Sequence, residues 1–136
     1  MAGGMRFDIV TPEETISYEN VQMVTLPGAT GQIGVFAQHV PLMTQMAPGE
    51  IVVHKGGRDT YIATGEGIIE ITAEHVSVLT DLALESDRID EAKVEEARRR
   101  AEARLREKLS DEEAAMVNAA LARSLAQLRV KKRQRR

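Results

Sequence analysis

Cysteine is absent from the 136 residues. Disulfides and thiolate metal sites are therefore excluded, and a reducing compartment is compatible. Tryptophan is absent too, and two Phe and two Tyr bring the aromatics to only 3%. So thin a supply cannot tile a stacking platform for single-stranded nucleic acid, and any core must be aliphatic. No apolar run approaches the length of about 18 residues at which a membrane span is read. The opening stretch, MAGGMRFDIV, has no charged start followed by an apolar run, so it does not read as a signal peptide. These absences predict a soluble, cytosolic chain of one or two small domains.

What is present is divided unevenly. Residues 1–85 carry 3 basic and 11 acidic side chains, a net of −8, whereas residues 86–136 carry 15 and 10, a net of +5. An asymmetry of that size predicts different partners for the two halves. The first half is punctuated by turn signals. Short β-leaning runs fall at 5–10, 15–26, 31–37, 51–54, 60–64, 68–72 and 75–82, and Lys55-Gly56-Gly57-Arg58 reads as a hairpin turn. Residues 26–51, LPGATGQIGVFAQHVPLMTQMAPGEI, hold the densest punctuation. Pro27-Gly28 predicts a tight turn, and His39, Pro41 and Pro48 a rigid crossing, because proline cannot donate to a ladder. The expectation is an antiparallel β-sandwich or barrel with a Gly-lined loop, around Gly31 and Gly34, offered outward.

After Ser86 the period changes. Between Asp90 and Leu109 there is no Gly or Pro, and Ala, Glu, Arg and Leu dominate. Asp90 reads as an N-cap, and Val94, Ala97, Ala101, Leu105 and Leu109 form a narrow stripe. Ser110-Asp111-Glu112-Glu113 reads as a capping box. It opens a second helix with the stripe Ala114, Val117, Leu121, Leu125 and Leu128. Each helix is expected to run about 18–22 residues, roughly 30 Å. With a residue or two between them they make an antiparallel hairpin. The fold class is thus α+β, segregated: a β-sandwich over residues 1–85, then a two-helix hairpin over 86–136 with a basic tail. The Ala-rich stripes bury little surface, so the hairpin reads either as loosely held and able to exchange partners or as docked permanently on the sandwich.

Catalytic patterns are missing. His39, His54 and His75 stand in three separate segments with no metal-ligand or carboxylate–His spacing, and read as surface or sandwich-edge histidines. Gly28-x-x-Gly31-x-x-Gly34 lacks the Lys-Ser/Thr of a phosphate loop. The cations Arg129, Lys131, Lys132, Arg133, Arg135 and Arg136, with Arg123 upstream, read as a solvated tail or a nonspecific phosphate-binding patch.

The pattern PG-x-x-G-x-x-G-x-x-x-x-H-x-P-L-x-T-x-x-x-PG over residues 27–49 resembles the ε subunit of F-type ATP synthases. Ile89-Asp90-Glu91-Ala92 and Ala126-Gln127-Leu128-Arg129-Val130 are similar to that family's C-terminal helices, so the likeness spans nearly the whole chain. The resemblance implies a flattened sandwich of about ten strands. It also implies a non-catalytic central-stalk subunit that couples proton translocation to ATP synthesis. Thr30, Gly31, Gln32, Ile33, His39 and Pro41 are then expected to meet the γ subunit and the membrane rotor ring (c-ring). Arg123, Arg129, Lys131 and Lys132 are expected to latch onto β subunits of the α/β catalytic head when mobile C-terminal helices inhibit ATP hydrolysis. Such a protein sits peripherally on the cytoplasmic face of the plasma membrane, with the thylakoid stromal face as alternative, and takes no nucleic acid. Some members bind ATP through an Ile/Leu-Asp-x-x-Arg-Ala motif. Here Ile89 and Asp90 are followed by Lys93 and Val94, Leu84 takes an acidic position beside Glu85, Arg123 matches and Gln127 replaces an arginine. Lys loses the bidentate fork of Arg, so Glu85, Asp90, Lys93 and Arg123 imply a weak regulatory ATP site or none. A nucleotide-sensing module is the alternative reading.

Overall fold

The computed structural model describes residues 4–134. Ten strands come first: β1 (Met5–Val10), β2 (Thr15–Val21), β3 (Met23–Gly28), β4 (Gly31–Phe36), β5 (Leu42–Met46), β6 (Gly49–Lys55), β7 (Arg58–Thr64), β8 (Gly67–Ile71), β9 (His75–Thr80) and β10 (Ala83–Glu85). A 3-10 turn at Ser86–Arg88 leads into α1 (Glu91–Arg104) and α2 (Asp111–Gln134).

The strands run in the order β10-β7-β6-β3-β5-β8-β9-β1-β2, with β4 on the other side of β3. Strand β3 makes the corner: Met23 to Thr25 pair with β6, whereas Gly28 pairs with Met46 of β5. The sheet thereby folds into two layers around an aliphatic core that includes Phe7, Ile9, Leu26, Ile51, Ile62, Ile69 and Val78. Its two ends meet through side chains. Tyr18 of β2 donates to Glu85 of β10 at 3.5 Å, and Arg88 reaches Glu14 at 2.5 Å. All ladders are antiparallel except β1–β9, which is parallel.

Several expectations change. Pro27-Gly28 is not the turn: both residues lie in β3, and the hairpin turns at Ala29-Thr30, with Gly28 paired to Gly31. Pro27 fits there because Gly49 faces it, where an added Cβ would stand 2.7 Å from the Pro27 Cβ. Gly56 and Gly57, at φ 60° and 75°, form the predicted hairpin turn, since both central residues of a type I′ turn need positive φ. The stretch between the prolines contains a further strand, β5, and the short β10 follows β9.

In the helical half, Asp90 caps α1 by accepting from the Lys93 N–H at 3.2 Å. The Ser110 box closes in both directions: the Ser110 N–H donates to Glu113 Oε1 at 3.0 Å and the Glu113 N–H to Ser110 Oγ at 3.1 Å. Helix α1 has 14 residues, fewer than expected, and residues 105–110 form a longer link to α2. The buried residues of α2 are Ser124, Ala126 and Val130, while Leu125 from the predicted stripe is exposed. That rotation arises because the second face has its own partner. Helix α2 packs on the outer side of β6 and β7, where Val52 and Ala63 are buried. The run Ile51-Val52-Val53 is apolar throughout because β6 is covered on both faces. A second cluster, Ala63, Ile89, Val94 and Val130 with Tyr61, Leu84 and Leu128, joins helices to sandwich.

Removing two methyl groups from this cluster by Val130→Ala should cost about 1.5 kcal/mol. Amides of α2 are expected to lose hydrogen-exchange protection while those of β8 and β9 keep theirs. Equal loss in both would place the hairpin and sandwich in one cooperative unit. A different tie holds β1, β2 and β9. Burial pushes the Asp8 carboxyl up, but hydrogen bonds from Ser17, His75 and Arg6 outweigh it and leave it below the ordinary 3.8. A depressed carboxyl stabilises the fold above its unfolded value, and that stability is lost as pH falls through the folded value. Asp8→Asn should therefore cost about 1–3 kcal/mol at pH 7 and flatten the acid limb of stability below about pH 4, measured by urea unfolding across pH.

Candidate functional site

The Gly-lined loop is a hairpin tip. Gly31 adopts φ 143°, a conformation that favours glycine, just after the exposed Ala29-Thr30 turn. Thr30, Gly31 and Gln32 are exposed, whereas Ile33 is half-buried and packs against the core. Ile33 therefore anchors the tip rather than extending it. His39 and Pro41 lie past the other end of β4, on the order of 20 Å away at the rise of an extended strand. The His39 Nδ1 is 2.6 Å from the Val40 carbonyl oxygen, and Pro41 is exposed just before β5. The six residues expected to make one surface are thus divided between two ends of one strand.

Beside His39 and Pro41 stand exposed apolar side chains that sequence reading missed: Phe36 at 62% exposure, Val40 at 75% and Met43 at 66%. A further row crosses three strands in register, with Val10 beside Leu79 and Leu79 beside Ile68, all exposed. Contiguous apolar surface of this kind on a sandwich marks an interaction face. The available signal was strand parity, because Met43 and Ile68 fall on the outward alternation.

The basic helix end is where charge meets charge. Arg123 Nε contacts Glu66 Oε1 at 2.8 Å, and this bond holds the Glu66 carboxyl below its usual range and the guanidinium above its own. Arg133 Nε reaches Glu50 Oε2 at 2.7 Å, with Glu50 only 12% exposed, and its guanidinium lies 4.7 Å over the Tyr61 ring. Lys131 Nζ donates to the Ser86 carbonyl at 3.0 Å. Lys132 is exposed. Arg129 is exposed and lines a groove of about 350 Å³ with Pro27, Gly28, Gly31, Gln32, Ala47, Pro48, Gly49 and Glu50. Arg135 and Arg136 lie outside the described residues. Glu50, Glu66 and Tyr61 were not singled out from sequence, although the opposite charges of the two halves pointed to such pairing.

Glu85, Asp90, Lys93 and Arg123 are occupied separately. Glu85 accepts from Tyr18, Asp90 caps α1, Lys93 is exposed and Arg123 is paired with Glu66. The groove of about 450 Å³ beside Glu85 has Asp59, Asp87 and Arg133 on its wall and none of the other three residues. Three carboxylates against one guanidinium disfavour a polyphosphate.

Two histidines have carboxylate partners that sequence spacing did not show. His54 Nδ1 is 2.7 Å from Asp59 Oδ1, directly across the β6–β7 ladder, and His54 Nε2 is 3.3 Å from Thr25 Oγ1. His75 Nε2 is 2.8 Å from Asp8 Oδ2. Both arrangements tie neighbouring strands together by side-chain pairing. Among the described residues no group of His, Cys, Asp and Glu is arranged to hold a metal ion, and no helix is long and apolar enough to cross a membrane.

Comparison with known proteins follows the same division. Residues 4–86 match the ATP synthase, Delta/Epsilon chain, beta-sandwich domain, and residues 87–132 the long alpha-helix domain of that chain. The ATP synthase epsilon chain of Herpetosiphon aurantiacus is 36% identical over 131 residues, 96% of each chain. That of Alkalilimnicola ehrlichii is 37% identical over 133 residues, 97% of this chain and 95% of the relative. In structure, a chain of the Euglena gracilis mitochondrial ATP synthase (OSCP/F1/c-ring) matches with a TM-score of 0.80 at 23% identity, covering 95% of this chain and 81% of that one, which shows a shared fold. With both of its parts matched in order and relatives similar along nearly their full length, the chain belongs to the ATP synthase delta/epsilon chain family.

Proposed function

We propose that this chain is a non-catalytic rotor subunit in which the sandwich is a rigid foot and the hairpin a releasable brake on ATP hydrolysis. In this reading the foot holds the γ subunit and the c-ring, through the Thr30–Gly31–Gln32 tip (anchored by Ile33) and the His39–Pro41 end with its exposed Phe36, Val40 and Met43. Proton flow through the ring then turns the stalk beneath the α/β head, on the cytoplasmic face of the plasma membrane or its thylakoid equivalent.

The observation that carries the brake is how the hairpin is held. Its seam on the sandwich combines a few small apolar contacts with Arg123–Glu66, Arg133–Glu50 and Lys131 on the Ser86 carbonyl. Exposed pairs of this kind are each worth about 0.2–1 kcal/mol, and a cation over an aromatic ring about 0.5–1. A hold of a few kcal/mol can be outcompeted by a partner with better-sheltered carboxylates for Arg123, Arg129, Lys131 and Lys132. Arg123 and Lys131, which help to latch the hairpin down, thereby also supply part of its grip when extended. The nucleotide-sensing alternative has less support, because Arg123 and Asp90 are already engaged and the groove at Glu85 is rich in carboxylates.

Deleting residues 86–136 should leave assembly and synthesis intact and raise ATP hydrolysis by the assembled complex several-fold; unchanged hydrolysis removes the brake. The hold itself can be tested separately. Glu50→Gln with Glu66→Gln should weaken docking by about 1 kcal/mol, roughly a fivefold change in the docked-to-undocked ratio. Raising salt should undock the parent chain but affect the double variant much less, read from the distance between two labels placed on introduced cysteines. A double variant as salt-sensitive as the parent would show that the latch lies elsewhere.

A further inference from the structure

The groove beside the hairpin tip has walls from both halves of the chain. Pro27, Gly28, Gly31 and Gln32 come from β3 and β4, Ala47, Pro48, Gly49 and Glu50 from the approach to β6, and Arg129 from α2. Its volume is about 350 Å³. Sequence reading assigned the tip to one partner and the helix end to another, so their meeting here belongs to the folded chain alone.

The charges of the groove are not balanced. Glu50 is spent on Arg133 at 2.7 Å and is 12% exposed, whereas Arg129 is exposed and has no ion-pair partner among the described residues. The groove therefore presents one uncompensated guanidinium, with the Gln32 amide as a further polar group. The remaining wall is proline, glycine and alanine, which offers backbone and short apolar surface rather than side-chain donors. Such a surface suits the backbone and methylene part of a peptide segment whose carboxylate meets Arg129. A free hydrated anion would use only the guanidinium.

We infer that this groove is a docking site for an acidic loop of a protein partner, and that it exists only while the hairpin is docked. The inference rests on the proposed release of the hairpin and adds a regulation to it. A partner loop that contacts both the tip and Arg129 binds the docked state alone. It therefore holds the brake off, and by reciprocity an extended hairpin weakens the grip on that loop. Contact at the foot and posture of the hairpin become one equilibrium.

The probe is acetyl-Gly-Asp-Gly-amide, with its Asn counterpart and sodium acetate as controls, added to the full-length chain. Backbone amide shifts of Gly28, Gly31 and Gln32 report the groove. Because the chain has no cysteine, labels at Glu13→Cys and Glu112→Cys report the hairpin. The Asp peptide should shift those amides and raise the docked fraction at high salt, and Arg129→Gln should weaken its binding about tenfold, the effect of losing one charge-assisted bond. Equal binding of the Asn peptide overturns the carboxylate, and equal effects of acetate overturn the protein loop. Peptide binding that leaves the docked fraction unchanged, in a chain that salt does undock, overturns the coupling. A label distance fixed under every condition sinks the release of the hairpin instead, and the amide shifts then decide the groove by themselves.

Discussion

The docked arrangement of hairpin on sandwich depends on the contact between α2 and the outer face of β6 and β7. A sandwich needs only its inner faces buried, and here the inner faces hold the larger side chains, Phe7, Ile51, Ile62 and Ile69 among them. The outer face of β6–β7 is furnished more sparingly, with Val52, Tyr61 and Ala63 beside Glu50. Helix α2 answers with Ala126 and Val130, also small. Small-on-small packing lets the helix lie close while removing little apolar area, so the contact is specific in shape and modest in strength. Polar groups at its edges supply the rest of the hold.

Those polar groups give the charge division its meaning. The acidic sandwich and the basic hairpin are complementary to each other before either meets a partner. Arg133 shows how the geometry serves both ends: its guanidinium pairs with Glu50 and covers the Tyr61 ring, shielding an otherwise nearly buried carboxylate. Glu66 is more open to water than Glu50, 47% against 12%, so its pair with Arg123 is weaker and more sensitive to salt. A hold built from such pairs is tunable by the ionic surroundings in a way an all-apolar seam is not.

How much of this was legible depended on whether the signal was local. The capping box at Ser110–Glu113, the Asp90 cap and the Gly56-Gly57 turn are encoded within four residues, and the structure realises each. Pro27-Gly28 misled because a proline followed by glycine has the composition of a turn, yet the strand tolerates it where Gly49 leaves room. The stripe of α2 misled for another reason. Leu121 and Leu125 are larger side chains, but α2 turns Ala126 and Val130 into the outer face of the sandwich, with Leu128 half-buried in the same cluster. The pairs His54–Asp59 and His75–Asp8 required the strand register, which spacing does not contain. The division of the tip from His39–Pro41 was legible, because residues 31–37 already read as a β-leaning run that sets the two a strand apart.

The seam of the sandwich sets where a releasable hairpin can pivot. The ends of the sheet meet through Tyr18–Glu85 and, just beyond, Arg88–Glu14, so the chain is fastened to the foot up to Arg88. Ile89 is the next residue, and it belongs to the cluster shared with Val94 and Val130. Anything that lifts α2 removes the cover from Ile89, whereas the two ties at the seam involve no residue of either helix. In the proposed release, the helices would part from the sandwich near Arg88 and Ile89, with the Lys131 bond to the Ser86 carbonyl broken as well. A pivot there lets the helices depart without opening the edge of the sheet, because β10 remains paired to β7 from Ala83 to Glu85. The mobility proposed for the hairpin and the rigidity proposed for the foot thus meet in the short segment after β10, where Leu84 and Ile89 share one cluster.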